Sequence, residues 1–170
     1  PGMVWQKGES CRIVLGMRSG ALPPELLTLA LELEQAGMLI EVTKDIERAS
    51  WTKYTLMCGN SAVFARFDAP AGEIQKDSQK LAFLRGAYGE LVDVAAAKGV
   101  RLPDSLVDQY MENFMALPPD TVSSLYRDLK AGKKKTELSH IVGRLVQLGR
   151  EAGVPTPCHE AVLMRYKDRL

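Results

Sequence analysis

Three residues spaced four apart near the middle of the chain could do chemistry together. Lys53, Met57 and Ser61 occupy positions that share one face of an α-helix, with Asn60 beside them. Such a face can present an ammonium and a hydroxyl to one pocket. There the ammonium could protonate a substrate oxygen or stabilise its negative charge. The alternative interpretation is a surface lysine whose aliphatic stem covers the ring of Trp51.

A second polar group lies further along the chain. Ser123 and Ser124 follow a proline pair, where serine hydroxyls commonly accept hydrogen bonds from the free N–H groups that begin a helix. The same helix start is also a favourable place for a substrate carboxylate, because its dipole end is positive. Capping and carboxylate binding therefore both stay open for these two residues.

Glu137 presents a similar choice. It directly follows Thr136, and an acid in the first turn of a helix is stabilised by the helix dipole without any catalytic role. The preceding run of Lys133, Lys134 and Lys135 is typical of a solvated turn, with a phosphate contact as the alternative.

The cysteines and histidines do not indicate a metal site. Cys11, Cys58 and Cys158 are widely separated and contain no C-x-x-C pair, and His140 and His159 lack the spacing of a metal pair. We expect reduced thiols, with Cys58 packed in the core, and no bound metal.

Helical periodicity dominates from Asp45 onward. Asp45 is a candidate N-cap for a helix that runs to about residue 66. Residues 78–98 have the clearest apolar stripe and end at Gly99. Further helices are predicted over residues 102–117, 122–130, 136–152 and 157–167. The predicted fold class is therefore mainly α.

Residues 1–43 have a different character. Short strands are predicted at residues 3–5, 12–15 and 38–42, and a helix over residues 25–35 begins after a proline pair. Two or three strands do not form a stable sheet alone. This segment should therefore dock on something or pair with further strands. We divide the chain into this N-terminal part, 1–43, and a helical domain, 44–170.

Composition is typical of an ordinary globular protein. The chain has 170 residues, 46% hydrophobic and 25% charged, with a net charge of +1. That suits one domain with a short appendage and gives no reason to expect a nucleic-acid or membrane partner. No apolar run approaches the roughly 18 residues that cross a bilayer, and no charged-then-apolar leader opens the sequence. A cytoplasmic location is expected.

The polar groups, in this order, resemble the C-terminal domain of 2-dehydropantoate 2-reductases, also called ketopantoate reductases. The matching pieces are Asp45-Ile46, Trp51-Thr52-Lys53, Ser123-Ser124-Leu125, Asp128-Leu129, Gly132, Thr136-Glu137-Leu138, Gly143 and the tail Gly153-Val154-Pro155-Thr156-Pro157. The beginning of the chain, before Ala36-Gly37, looks like the final strands of that family's nucleotide-binding domain. The resemblance covers nearly the whole chain, and the order of its pieces is more specific than any one of them.

This resemblance implies a multi-helix domain of the 6-phosphogluconate-dehydrogenase-like type, preceded by a remnant of the nucleotide-binding domain. It implies reduction of ketopantoate to pantoate in pantothenate biosynthesis, with hydride from NADPH. Lys53 would hydrogen-bond the ketone and protonate the alkoxide, while Glu137 would orient that ammonium or bind the substrate hydroxyl. Ser124 would contact the substrate carboxylate, with Ser61 and Asn60 completing the substrate site. A homodimer is compatible with this interpretation.

Three departures from the family pattern matter. Well-known members carry asparagines four and eight residues after the lysine, where this chain has Met57 and Ser61, so the exact 2-keto acid stays open. The turn between Asp128 and Glu137 is one residue longer than is usual in the family. No glycine has another glycine two places on, so a G-x-G-x-x-G loop is absent and the nucleotide-contacting residues are unknown. We expect this polypeptide alone to be inactive.

Two other functions are kept as alternatives. The first is a reductase of another branched 2-keto acid. The second is a non-catalytic helical dimerisation module that has kept the fold and lost the chemistry.

Overall fold

The computed structural model describes residues 2–3, 12–18, 20–133 and 135–169. These residues divide into two compact units, with the division between Ser50 and Trp51. The smaller unit contains the strands and the larger one is built from helices. The mainly α class predicted from the sequence is confirmed.

The N-terminal unit is a β-α-β arrangement. Strands β1 (Arg12–Gly16) and β2 (Leu39–Thr43) pair in parallel. Helix α1 (Pro24–Gln35) makes the long crossover that a parallel pair requires. Pro24 suits the first position of this helix, because the N–H that proline lacks would have no intrahelical partner there. Gly37 follows the helix in the left-handed region, with φ of +88°, which only glycine adopts at little cost.

The predicted strands near residues 12 and 38 are confirmed within one residue at their ends. The strand predicted at residues 3–5 falls mostly outside the described residues. Burial along α1 differs between neighbouring residues. Ala30 is buried, whereas Leu29 is 44% exposed.

The remaining helices lie in or run into the second unit. They are α2 (Ile46–Phe67), α3 (Ala71–Ile74), α4 (Ser78–Ala97), α5 (Leu106–Met115), α6 (Ser124–Lys130), α7 (Arg144–Ala152) and α8 (Pro157–Arg165). A π-helical turn, Ser139–Gly143, precedes α7, and a 3₁₀ turn, Lys167–Arg169, follows α8. The single turn of α3 and the π-helical turn were not predicted from periodicity.

Side-chain caps begin the two longest helices. Asp45 Oδ1 accepts a hydrogen bond from the N–H of Arg48 at 3.1 Å, as the sequence predicts for α2. Asp77 Oδ1 accepts from the N–H groups of Gln79 and Lys80 at 2.9 and 3.1 Å at the start of α4. These carboxylates satisfy N–H groups that have no partner within the helix, which stabilises its first turn.

Two apolar clusters form the core of the helical unit. The Tyr88 cluster includes Phe64, Tyr88 and Phe114. The Leu91 cluster contains Cys58, Ala62, Ala65, Ala87, Leu91, Val94, Leu125, Leu129, Leu138, Val142, Leu145 and Val162. Both α2 and α4 contribute to both clusters, so they are the central helices on which the others pack. Each large apolar side chain buried in this way contributes about 1.5–3 kcal/mol.

None of the helices in the described part of the chain combines the length and the apolar composition that crossing a bilayer requires.

Candidate functional site

The predicted face of α2 changes from exposed to buried along the helix. Lys53 is exposed and Met57 is 45% exposed, whereas Ser61 is only 5% exposed. Asn60, beside this face, accepts a hydrogen bond at Oδ1 from the hydroxyl of Tyr88 on α4. Burial raises the pKa of Tyr88, so this hydroxyl remains a donor at neutral pH. Of the four residues, only Lys53 and Met57 present much of their side chains to solvent.

The backbone around Lys53 is held by two tyrosines from either side. Tyr110 on α5 donates its hydroxyl hydrogen bond to the carbonyl of Thr52 at 2.8 Å. Tyr54 donates to the carbonyl of Ile141 at 2.6 Å. Both bonds are partly buried and join α2 to elements far away in the sequence, so the first turns of α2 are fixed while the lysine head stays exposed.

The structure separates the roles of the two adjacent serines. Ser123 Oγ accepts a hydrogen bond from the N–H of Tyr126 at 3.1 Å and caps α6. Ser124 is the first residue of α6 and is exposed. The capping interpretation is therefore confirmed for Ser123, and the hydroxyl of Ser124 lies at the surface.

The segment that leads into α6 is anchored by α3, which the sequence analysis missed. The N–H groups of Ala71 and Gly72 donate to the carbonyls of Thr121 and Pro119 at 3.0 and 2.8 Å. A Cβ atom on Gly72 would lie 2.6 Å from the Cβ of Pro119, which leaves no room for a side chain. The start of α6, with Ser124, is thus set by this close approach.

Glu137 lies two residues before the π-helical turn, which begins at Ser139. Its side chain is exposed, and its carbonyl accepts a hydrogen bond from the N–H of Ile141 at 2.8 Å. Thr136 Oγ1 accepts from the N–H of Leu138 at 3.4 Å, which helps to begin this helical segment. π-Helical turns occur frequently at functional sites.

The three segments that carry Lys53, Ser124 and Glu137 all pack on the Leu91 cluster. The residue that follows each of them packs in or against the Leu91 cluster: Tyr54, Leu125 and Leu138. Leu125 and Leu138 are each 1% exposed. The backbones of the three segments are therefore brought around one core, with the three polar side chains on the solvent side. That their polar heads converge on one cleft stays a prediction.

A separate open groove lies along α4 and α5. It has a volume of about 730 Å³, and its lining includes Leu81, Arg85, Asp108 and Met115. Arg85 pairs with Asp108 across it at 2.6 Å. None of the predicted site residues lines this groove, so we do not include it in the candidate site.

The lysine run behaves as a solvated turn where it is described. Lys133 is exposed and forms an ion pair with Asp128 at 2.7 Å, and Lys135 is exposed. Lys134 lies outside the described residues.

His159 and Glu90 form a buried polar pair that sequence patterns did not reveal. His159 Nδ1 lies 2.6 Å from Glu90 Oε2, and Glu90 also accepts from the N–H groups of Cys158 and His159. Burial opposes ionisation of Glu90, but the hydrogen bonds from His159 and Cys158 outweigh it and hold its pKa below the ordinary value. The carboxylate is therefore ionised at neutral pH, and the Nδ1 of His159 is the donor.

The described cysteines are unreactive thiols. Cys58 and Cys158 are both free, and Cys58 is buried as predicted. Burial raises the pKa of Cys58, and burial together with the Glu90 charge raises that of Cys158 to about 12. Cys11 lies outside the described residues. Within the described ranges, no group of three or more His, Cys, Asp or Glu side chains is arranged to hold a metal ion.

Solved structures with this architecture are reductases and dehydrogenases. The PanE/ApbA family ketopantoate reductase of Ralstonia eutropha JMP134 superposes with a TM-score of 0.80 at 26% identity, over 95% of this chain and 52% of that one. D-Mandelate dehydrogenase, solved with NADH and anilino(oxo)acetate, gives 0.78 at 20% identity over 95% of this chain and 68% of that one. The second likeness shows the fold alone. The fold is thus that of the helical domain found in these oxidoreductases.

The family follows from the sequence comparisons. Residues 45–168 match the family model described as ketopantoate reductase PanE/ApbA C terminal. The 2-dehydropantoate 2-reductase of Pyrobaculum aerophilum is 32% identical over 162 residues, which are 95% of this chain and 57% of that protein. The chain belongs to the ketopantoate reductase family and corresponds to its C-terminal part. It spans a little over half the length of this relative, and the resemblance inferred from the residues is confirmed.

Proposed function

We propose that this chain is the substrate-binding and catalytic part of an NADPH-dependent reductase that converts ketopantoate into pantoate for pantothenate biosynthesis. One observation carries the proposal beyond family membership. Lys53, Ser124 and Glu137 come from distant stretches of sequence, yet their following residues all pack in or against the Leu91 cluster. An ammonium can protonate the ketone oxygen as hydride arrives, and a hydroxyl and a carboxylate can orient a 2-keto acid beside it.

In this proposal Lys53 is the general acid. Its ammonium would hydrogen-bond the ketone oxygen and donate a proton as negative charge develops there. Glu137 would orient the ammonium or accept a hydrogen bond from the substrate hydroxyl, and Ser124 would donate to the substrate carboxylate. Asn60 and Ser61 would line the inner end of the same face of α2, where Asn60 is already held by Tyr88.

The nicotinamide cofactor would supply the hydride, and this chain would supply placement and charge. The described residues do not themselves form a dinucleotide site, because the sequence contains no G-x-G-x-x-G loop. The cofactor would therefore be held mainly by the part of the family that this chain does not match. The choice of NADPH over NADH belongs to the proposal.

A second substrate class is favoured by one observation. Met57 stands one turn after Lys53 and is 45% exposed, where well-known family members carry an asparagine. An apolar wall beside the general acid suits a branched 2-keto acid without the hydroxyl of ketopantoate. Ketoisovalerate, which has a hydrogen in place of the hydroxymethyl group, is the probe that separates the two candidates.

The test is a steady-state assay of the full-length protein that carries this chain. NADPH and NADH oxidation would be followed with ketopantoate and with ketoisovalerate at matched concentrations. We expect kcat/KM for ketopantoate with NADPH to exceed the other combinations by a factor on the order of 10 or more. A preference for ketoisovalerate would select the second candidate. No oxidation with either acid would favour the non-catalytic dimerisation module.

A homodimer and a cytoplasmic location also belong to the proposal. Leu27 and Leu31 on α1 are 45% and 58% exposed and lie one turn apart on the same face. Exposed apolar residues on one face support self-association.

A further inference from the structure

The hydroxyl of Tyr54 joins the Lys53 segment directly to the Glu137 segment. It donates to the carbonyl of Ile141 at 2.6 Å. The N–H of Ile141 donates in turn to the carbonyl of Glu137 at 2.8 Å. The neighbour of the proposed acid is therefore bonded to a residue one turn beyond the proposed carboxylate.

The Ile141 carbonyl lies within a π-helical turn, where the regular ladder of backbone hydrogen bonds is interrupted. In a regular α-helix the carbonyl of Ile141 would accept from the N–H of Leu145. Here Ser139–Gly143 form a π-helical turn. The Tyr54 hydroxyl donates a hydrogen bond to the Ile141 carbonyl, and the Leu145 N–H faces the oxygen of the same hydroxyl. A side chain inserted into the helical ladder in this way holds the turn open.

A second group supports the same carbonyl. Cys58, one turn after Tyr54 on α2, places its Sγ 3.5 Å from the Ile141 oxygen. Burial raises the pKa of Tyr54 and that of Cys58, so both groups keep their hydrogens at neutral pH. The contact therefore persists over the range in which a cytoplasmic enzyme would work.

The ring of Tyr54 is fixed independently of its hydroxyl. It packs against the Leu91 cluster and meets the ring of Trp51 edge-on, with ring centroids 5.6 Å apart. A phenylalanine would occupy the same space and keep these contacts. It would remove the bond to Ile141 and the oxygen that faces the Leu145 N–H. That loss loosens the turn and lets the residues before it, including Glu137, shift.

We propose that Tyr54 is a positioning residue, whose hydroxyl fixes the Glu137 turn relative to Lys53. The proposal rests on the proposed reductase function of those two residues. Tyr54 touches neither substrate nor cofactor in this scheme, and it acts through the carbonyl of Ile141.

The chain contains a matched control. The hydroxyl of Tyr166 donates a hydrogen bond to the carbonyl of Ala65 at 3.0 Å. Like the bond of Tyr54, this bond is partly buried and involves a residue of α2. Ala65 lies twelve residues from Lys53, or about 18 Å along the helix. Tyr166→Phe therefore removes the same kind of bond without touching the Glu137 turn.

The kinetic test uses the full-length protein with ketopantoate as the probe. We expect Tyr54→Phe to lower kcat by a factor on the order of 10 with KM changed by less than about twofold, because a misplaced catalytic group slows the chemical step. Tyr166→Phe should keep both constants near the wild-type values. Equal losses in the two variants, or a wild-type kcat in Tyr54→Phe, would overturn the proposal.

A structural test on the same proteins separates this proposal from the function on which it rests. Amide hydrogen exchange at Leu145 and Val146 should be faster in Tyr54→Phe and unchanged in Tyr166→Phe. Unchanged exchange in Tyr54→Phe would overturn the link itself. A wild-type protein that reduces neither ketopantoate nor ketoisovalerate would instead overturn the reductase assignment and with it the positioning role, whatever the exchange result.

Discussion

The carboxylate of Glu90 on α4 and the imidazole of His159 on α8 form a buried pair, with 2.6 Å between Oε2 and Nδ1. Glu90 is 7% exposed and His159 is fully buried. The same carboxylate accepts the N–H of Cys158 at 2.6 Å. One side chain therefore fixes the start of α8 to the middle of α4, next to the Leu91 cluster on which the candidate site rests.

Replacing Glu90 should destabilise the protein. Glu90→Gln keeps the size of the side chain but replaces the charged carboxylate, which accepts three hydrogen bonds, with a neutral amide. We therefore expect the free energy of unfolding to fall by about 1–3 kcal/mol. Urea denaturation at neutral pH measures this. Glu160→Gln is the control, because Glu160 is exposed and its pair with Arg150 is long, at 3.5 Å. An equal loss in both variants would contradict a special role for the buried pair.

The same pair should make stability depend on pH in acid. The pKa of Glu90 is lowered in the folded state from an ordinary value of 4.5. Its contribution is therefore fully present above that value and is lost as the pH falls through the lower, folded value. We expect the wild type to lose more stability than Glu90→Gln between about pH 5 and pH 3. Parallel curves of stability against pH for the two proteins would show that Glu90 has the same pKa in the folded and unfolded states.

Removing the Lys53 ammonium should slow catalysis. In the full-length enzyme, Lys53→Ala should lower kcat for ketopantoate by a factor on the order of 100 or more, as loss of a positioned acid does. Lys76→Ala is the control, because Lys76 is also exposed and lies outside the three segments that carry Lys53, Ser124 and Glu137. Steady-state turnover measures both. Unchanged turnover in Lys53→Ala would mean that another residue is the acid.

A methyl group at Gly72 should disturb the segment that leads to Ser124. Its Cβ would lie 2.6 Å from the Pro119 Cβ, and overpacking of this kind costs about 1–3 kcal/mol. At Gly89, within α4, nothing lies within 4 Å of an added Cβ, so Gly89→Ala should stabilise by about 0.5–1 kcal/mol. Thermal unfolding of the two variants should shift in opposite directions. A stable Gly72→Ala protein would show that the α3 contact yields easily.

The exposed leucines of α1 should promote self-association. We expect Leu27→Gln/Leu31→Gln to lower the weight-average sedimentation coefficient of this chain at high concentration, because the substitutions replace apolar surface with polar surface. Met164→Gln is the control, since Met164 is 71% exposed on α8. Identical profiles for wild type and the α1 variant would exclude this face from the assembly.

Sequence reasoning was reliable where the physics is local. The helix of residues 46–67 starts at its predicted cap, Asp45, because a carboxylate beside free N–H groups needs no distant partner. Sequence reasoning missed α3 and the π-helical turn. A single turn carries too few residues to show a period, and the hydrogen bond of Tyr54 to the π-helical turn joins residues 87 positions apart.

By itself the sequence determined the mainly helical class, the Asp45 cap and the family, since these follow from periodicity, local hydrogen bonding and the order of short motifs. The structure distinguished the two adjacent serines, since Ser123 caps α6 while Ser124 is exposed. Tertiary packing alone decided that Tyr54 reaches Ile141. It also decided that Glu90 and His159 are buried together. Such contacts join residues far apart along the chain, and they arise only when the packing of several helices brings their backbones together.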